Sequence, residues 1–217
     1  EYTAKQAYRA FNAQLLAEEE PAADETVLTS GKSYSNVFHA NGGNAAFSVM
    51  ANTLRGVYGT DVLLATANSF TGSVLQADYN KKMAASMIMP NGLMSRQRTM
   101  TGAELKETVR AFVEGCEGGF TPFNRGSLPV VSGIAVEVKE AGGSYTLTGI
   151  TRNGQPLKDD DTVTVTCLAA EKQMEALLAS ESGTSLDGDT WVKNRWRDHV
   201  SGGGAALAEP ENYMTLR

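Results

Sequence analysis

The sequence predicts an α+β domain in which mixed and antiparallel β-sheets are packed by helices, and three observations carry that expectation. An apolar stripe of helical period over Ala45 to Tyr58 leads straight into a short apolar run at Asp61 to Thr66. Alternation from Leu93 to Met100 gives way at Thr101-Gly102-Ala103-Glu104 to the Thr-x-x-Glu spacing of a capping box. Beyond them a β-branched stretch from Val131 to Cys167 is broken by Gly142-Gly143 and Asn153-Gly154, the dipeptides that favour tight hairpin turns.

Taken in chain order, Ala4, Ala7, Tyr8, Phe11 and Leu15 recur at helical spacing, and this helix should end near Glu18 to Glu20, before Pro21. Pro21 to about Asn36 is polar and aperiodic and reads as a connection. The expected organisation is therefore a lead-in helix and linker over residues 1–32 and one domain over 33–217. Asn44 should cap the helix that places Phe47, Met50, Leu54 and Val57 on one face, with Gly59-Thr60 ending it. The strand at Asp61 to Thr66 should be buried on both faces, because it is short, continuously apolar and bounded by turn-formers. Pro90-Asn91-Gly92 is read as a turn, Thr101 to about Phe112 as a helix, and Gly115 to Pro122 as a long loop. Val131 to Val138, Tyr145 to Arg152 and a run from Thr162 should form a meander. Helices are expected over Glu171 to Ala179 and Thr190 to Val200, the second capped by Asp189 and broken by Gly202 to Gly204, with a short strand at Tyr213 to Leu216.

Composition excludes several classes of function. The 217 residues, 41% hydrophobic and 20% charged, are ordinary for a globular chain. No stretch approaches the roughly 20 apolar residues of a membrane span, so the protein should not be membrane-embedded. A net charge of -6 without a Lys/Arg-rich stripe argues against polymeric nucleic acid, which is held through many phosphate contacts. The chain begins at Glu1 and is read as a processed or excised fragment, with any signal peptide or anchor outside it. Cys116 and Cys167 allow two thiols or one disulfide; free thiols are expected, with Cys167 acting as a small buried apolar residue.

Few constellations invite catalysis. A hydrolytic metal centre needs several converging ligands, and the chain has only His39 and His199, both read as structural. Asp159-Asp160-Asp161 lacks the alternating ligand spacing of a calcium loop and reads as a solvated turn. There is no G-x-S-x-G elbow, no GK[ST] phosphate loop and no G-x-G-x-x-G; Gly42-Gly43 is the best anion candidate, though an ordinary turn and cap explains it. Trp191 shares a helical face with Arg195 while Trp196 is rotated away, which favours core packing over a stacking platform. Met83, Met87, Met89, Met94 and Met100 read as core filler or a buried interface.

Several stretches, in order, resemble the C-terminal, substrate-binding domain of 5'-nucleotidases and their periplasmic sugar-nucleotide hydrolase relatives, from roughly Ser33 to Leu216. Asp61-Val-Leu-Leu-Ala65 resembles the strand before the family's Asn-Gly-Gly-Gly-Ile-Arg loop, and Pro90-Asn91-Gly92-Leu93 stands at its Pro-Phe-Gly-Asn turn. Thr101-Gly-Ala-Glu-Leu-Lys106 is close to a family helix start. Val131-Ser-Gly-Ile134 and Asn153-Gly-Gln-Pro-Leu157 resemble the family's Val-Ser-Gly-Leu strand and Asn-Gly-Lys-Pro-Leu hairpin.

The resemblance implies that a metal-dependent N-terminal domain, absent from this chain, performs hydrolysis, so that no cofactor belongs to this chain and divalent metals belong to that other domain. It also implies an extracytoplasmic location. The family's domain clamps a base between two aromatic rings and holds the nucleotide with arginine and polar contacts. Here the loop arginine falls at Thr71, the first clamp at Asn91 and the turn asparagine at Leu93, and where the second clamp should follow Cys167 the chain reads Leu168-Ala169-Ala170-Glu171-Lys172. The residues left at the equivalent surface are Thr66, Asn68, Ser69, Thr71, Asn91, Gly92 and Leu93, whose polar members can hydrogen-bond a nucleotide, nucleoside or sugar-like ligand. Two functions follow: the substrate-binding domain of a secreted or surface hydrolase, partnered by a further domain of the same polypeptide, or a degenerate ligand-binding or interaction module that kept the fold. The chain alone is not expected to be catalytic.

Overall fold

Asn44, in extended conformation, starts the helix α1 (Ala45–Tyr58) by accepting the Phe47 amide at 2.9 Å on its side chain, and Gly59 ends it with φ 66. That conformation costs glycine little, and both boundaries fall where the sequence places them. The computed structural model describes residues 25–37, 44–89, 93–116, 128–170, 184–185, 190–202, 205–211 and 213–217. The expected helices near the N-terminus and over 171–179, with His39, Gly42-Gly43 and the Pro90-Asn91-Gly92 turn, lie outside the described residues.

Phe47, Met50 and Leu54 of α1 are buried as the period predicts, whereas Val57 is only half-buried. Ser48, Asn52 and Thr53 are buried too, and burying unpaired polar groups would be costly. The C-terminal tail supplies their partners. Ser48 Oγ donates to the Glu211 carbonyl and accepts the Glu211 amide, both at 2.8 Å, Asn52 Nδ2 donates to the Glu209 carbonyl, and Thr53 Oγ1 accepts the Ala208 amide. A tail without apolar period is thus held along α1 by the helix's buried polar side chains.

The strands form three sheets, and α1 packs on the central one through the strands over Val62–Thr66 and Pro129–Ser132. In the first, β1 (Thr26–Ser30) lies between β3 (Ala77–Asn80), antiparallel, and β12 (Ala205–Ala206), parallel. The stretch read as an aperiodic connection from Pro21 therefore contains a strand: Val27 and Leu28 are buried because a bulge between Thr26 and Leu28 breaks the simple alternation that would have marked it. In the second, β2 (Val62–Thr66) is buried at every position and lies between β9 (Thr162–Ala170), parallel, and β5 (Pro129–Ser132), antiparallel. Next to β9 runs β4 (Leu93–Thr101), flanked by β10 (Thr184–Ser185) and β11 (Thr190–Trp191). The third sheet has the order β13 (Met214–Leu216), β6 (Ala135–Ala141), β7 (Ser144–Arg152), β8 (Gln155–Pro156).

The expected strand from Val131 to Val138 is two strands in two sheets. Gly133 divides them at φ +83, so β5 joins the central sheet and β6 begins the third. The meander holds only for β6–β7–β8, whose turns Gly142-Gly143 (φ 61 and 80) and Asn153-Gly154 (φ 52 and 74) have the left-handed backbone of tight hairpins. β9 instead returns to the central sheet.

The helix α2 (Lys81–Ala85) follows β3 directly, with the Asn80 side chain accepting the Met83 amide. At α3 (Gly102–Glu114) the capping box is present in full: the Thr101 hydroxyl accepts the Glu104 amide at 3.2 Å, and the Glu104 carboxylate accepts the Thr101 amide at 2.7 Å. The acidic triplet is docked against this helix start. The carbonyls of Asp161 and Asp159 accept the Gly102 and Ala103 amides at 2.7 and 3.1 Å, two of the donors a helix N-terminus leaves unpaired. The last described helix, α4 (Val192–Ser201), starts later than expected. Thr190-Trp191 pairs with β4 instead, and Trp191 is the cap without a side-chain bond. Trp196 is fully buried and Trp191 half-exposed; among the methionines Met87 and Met100 are in the core, Met94 packs at its margin, and Met83 and Met89 are on the surface. Cys116 and Cys167 are both buried, and neither is in a disulfide. Burial pushes the Cys167 thiol up to about 12, against the opposing pull of Arg98 and Arg96.

Candidate functional site

β2 and β9 run parallel, so their C-terminal ends open at one edge of the central sheet, and the chain leaves β2 there through a 3-10 turn at Ala67–Ser69. In open sheets with parallel strands, that edge is where backbone groups and loop side chains are free to meet a ligand. The Ala67 amide donates to the Leu128 carbonyl at 2.9 Å, which fixes the turn against the approach to β5. From Ser69 to Thr71 the chain runs antiparallel to 86–89: the Met89 amide donates to the Ser69 carbonyl at 2.9 Å, Phe70 bridges to Ile88, and the Thr71 amide donates to the Met87 carbonyl at 3.1 Å. Leu93 opens β4 opposite Ala170, the last residue of β9, at the same edge.

The segment Thr66 to Thr71 is thus paired through its last three residues with 86–89, which precede the expected Pro90-Asn91-Gly92 segment. The side chains of the two segments are unequal. Asn68 is exposed and Thr71 half-buried, whereas Thr66, Ser69 and Leu93 are buried; Asn91 and Gly92 lie outside the described residues. The Thr71 hydroxyl donates to the Ser86 carbonyl at 2.7 Å, so its proton is already committed. The Ser69 hydroxyl is completely buried and has no hydrogen-bond partner among the described residues, one residue from exposed Asn68. What the edge offers is short-range hydrogen bonding from Asn68 and backbone groups, with no charge of its own from Thr66, Asn68, Ser69 or Thr71. Among the described residues no three His, Cys, Asp or Glu side chains gather as a metal would require, and no helix is long and apolar enough to cross a membrane.

A second concave feature lies at the opposite end of β2, about 17 Å away along a strand of this length. It is a cleft of about 510 Å³ between the central and third sheets, lined by Arg55, Asp61, Gly133, Arg152, Asn153 and Glu211 among others. Arg152 pairs with Asp61 Oδ1, while Asp61 Oδ2 accepts the Thr164 amide at 2.8 Å and the Thr164 hydroxyl at 2.9 Å. Partial burial pushes the Asp61 carboxyl up, but the Thr164 bonds and the Arg152 and Arg55 charges outweigh it and hold the group below the usual carboxylate range. Sequence spacing carries no sign of this cleft: Arg55 and Arg152 stand far apart in the chain, and only the bend at Gly133 brings their elements together.

No protein-family model matches the chain, and no curated protein matches it in sequence. Solved structures do. The 5'-nucleotidase precursor of Thermus thermophilus superposes with a TM-score of 0.66 at 12% identity, over 99% of this chain and 43% of its own. This chain has the fold of the C-terminal domain of 5'-nucleotidases. The NAD nucleotidase of Haemophilus influenzae matches at TM-score 0.66 and 13% identity, over 96% of this chain and 41% of its own. A putative 5'-nucleotidase of Staphylococcus aureus, solved with alpha-ketoglutarate, matches at 0.64 and 14%, over 94% and 43%. The 5'-nucleotidase-like chain therefore spans less than half the length of each of these structures, and at such identities the likeness establishes the fold.

Proposed function

We propose that this chain is the ligand-binding C-terminal domain of a larger, extracytoplasmic 5'-nucleotidase-like hydrolase, taking a nucleotide, nucleoside or sugar-like ligand at the edge where Asn68, Thr71 and Leu93 lie. The observation that supports the reading is the antiparallel pairing of Ser69 to Thr71 with residues 86–89, the stretch that leads toward the second segment of the resemblance, Pro90 to Leu93. In this reading Asn68 supplies the directional hydrogen bonds, and the metal chemistry belongs to another domain of the same polypeptide.

The test is the melting temperature of the purified chain with adenosine, AMP and UDP-glucose at millimolar concentration. A ligand that binds only the folded state at about 100 times its Kd stabilises by about 2.7 kcal/mol, which raises the melting temperature by several degrees. Asn68→Ala should abolish the rise. No rise with any of the three, together with no metallophosphoesterase sequence in the same reading frame, would sink the proposal.

A second reading is favoured by Thr71 and Leu93: the first has its hydroxyl bonded to the Ser86 carbonyl, the second is buried, and neither reproduces the charged or amide contact expected there. On this reading the domain keeps the scaffold and has lost nucleotide recognition. The same melting experiment separates the two.

A further inference from the structure

We propose that the cleft between Arg55 and Arg152 is a second ligand site, one that binds the oxyanion group of a small phosphorylated or carboxylated metabolite. The inference does not rest on the nucleotide reading, because it concerns the opposite end of β2.

The two guanidiniums are held from behind and open in front. Arg55 Nε donates at 2.9 Å to Ser132 Oγ, which in turn donates to Asn52 Oδ1, and the Asn52 amide is fixed on the Glu209 carbonyl. Arg152 is held through one terminal nitrogen by Asp61, itself fixed by Thr164. A guanidinium has five N–H donors. Each of these two uses one nitrogen for its internal hydrogen bond, and among the described residues the remaining nitrogens make none. Both side chains are more than two-thirds buried, at 29% and 28% exposure, so their orientation is set before a ligand arrives. Planar donor pairs of this kind match carboxylate and phosphate oxygens.

The local charge is balanced unevenly. Asp61 is engaged by Arg152 and both Thr164 donors and feels the Arg55 charge as well, whereas the ion-pair partner of Arg55 among the described residues is Glu211, whose carboxylate stands 3.7 Å away, beyond hydrogen-bond range, and is 54% exposed at the rim. Glu211 therefore sits where an entering oxyanion would, as an exchangeable counter-ion whose backbone is held by Ser48. The floor is backbone: a side chain at Gly133 would meet the Asp61 carbonyl at 2.0 Å and the Arg55 Cδ at 3.1 Å. A cleft of about 510 Å³ is within the usual range for a small-molecule site.

The experiment is a titration of the 217-residue chain with inorganic phosphate and, separately, succinate, followed by amide NMR and calorimetry. The expected result is saturable shifts at Gly133, Asn153 and Gly154 with one of the two anions, the better one identifying the ligand as phosphorylated or carboxylated. Arg55→Gln should weaken binding about tenfold or more, as loss of a charge-assisted donor pair does. Glu211→Gln, an exposed change that leaves the fold intact, should tighten binding about threefold by removing the competing carboxylate. Absence of saturable shifts with both anions up to about 50 mM, far beyond a useful affinity, would overturn the proposal. So would shifts confined to other regions, or an affinity that Glu211→Gln leaves unchanged.

Discussion

Trp196 Nε1 donates to the Ala84 carbonyl at 2.8 Å, so a fully buried indole ties α4 to α2 by packing and by a directed bond. Trp196→Phe keeps most of the ring but loses the donor, while the Ala84 carbonyl retains the Met87 amide. The expected loss is about 1–2 kcal/mol for Phe, against about 3–5 kcal/mol for Trp196→Ala, which empties the site. Urea unfolding of both variants measures the difference. Equal losses would show that the indole contributes volume alone.

Gly133 and Gly142 both have positive φ, yet they should respond differently to alanine. At Gly142 a Cβ meets nothing within 4 Å, so only the left-handed backbone is penalised, by about 1–2 kcal/mol. At Gly133 the same penalty is joined by a Cβ 2.0 Å from the Asp61 carbonyl, at the bend that passes the chain from one sheet to another. Gly133→Ala should therefore be the more damaging by at least about 2 kcal/mol, within the range of severe single changes. Denaturant midpoints compared at equal slope would decide, and similar losses would contradict the close contact.

The elements that could be read from sequence are those whose signals are local. The Asn44 cap, the capping box of Thr101 and Glu104, the continuous burial of Val62 to Thr66 and the two left-handed hairpin turns each follow from a few adjacent side chains. Val131 to Val138 reads as one strand because its apolar pattern runs on through Gly133, and nothing local says that the two halves join different sheets. Thr190-Trp191 reads as helix because its pairing partners, Ser95 and Met94, are distant in sequence. The contact between Ser69 and Met89 is not encoded in either segment alone, because it joins residues twenty apart through a pairing that neither pattern marks. The cleft was not reachable at all: Arg55, Asp61, Arg152 and Glu211 come from a helix, a strand entry, a hairpin and a tail, and only tertiary packing assembles them.

Burial of the two thiols makes a chemical prediction. Cys167 lies opposite Arg96 in the β4–β9 ladder, completely buried, and a thiol pushed up to about 12 has almost no thiolate at neutral pH. Ellman's reagent should therefore find neither Cys167 nor Cys116 in the native chain over minutes and should count both after unfolding in guanidinium. Rapid native reaction of Cys167, mapped by mass spectrometry, would mean that the centre of the sheet opens readily.

Acid should dissect the junction at Asp61. The carboxylate is held below its ordinary range because the Thr164 donors and the two arginines outweigh the cost of its partial burial. A depressed folded value means that the group contributes its full stability above the unfolded value near about 4 and loses it as pH falls through the lower, folded value. Asp61→Asn keeps a side-chain oxygen for Thr164 but surrenders the charge facing Arg152. At neutral pH the variant should be less stable by about 1 kcal/mol, a modest figure because the pair is still partly in contact with solvent and is screened there. Below about pH 4 the two proteins should converge, since the wild-type carboxyl is then progressively protonated as well. Urea denaturation of both chains between neutral pH and about pH 3 measures the gap. A gap that stayed constant through this window would mean that Asp61 holds the sheet junction by shape and hydrogen bonding, with its charge contributing nothing.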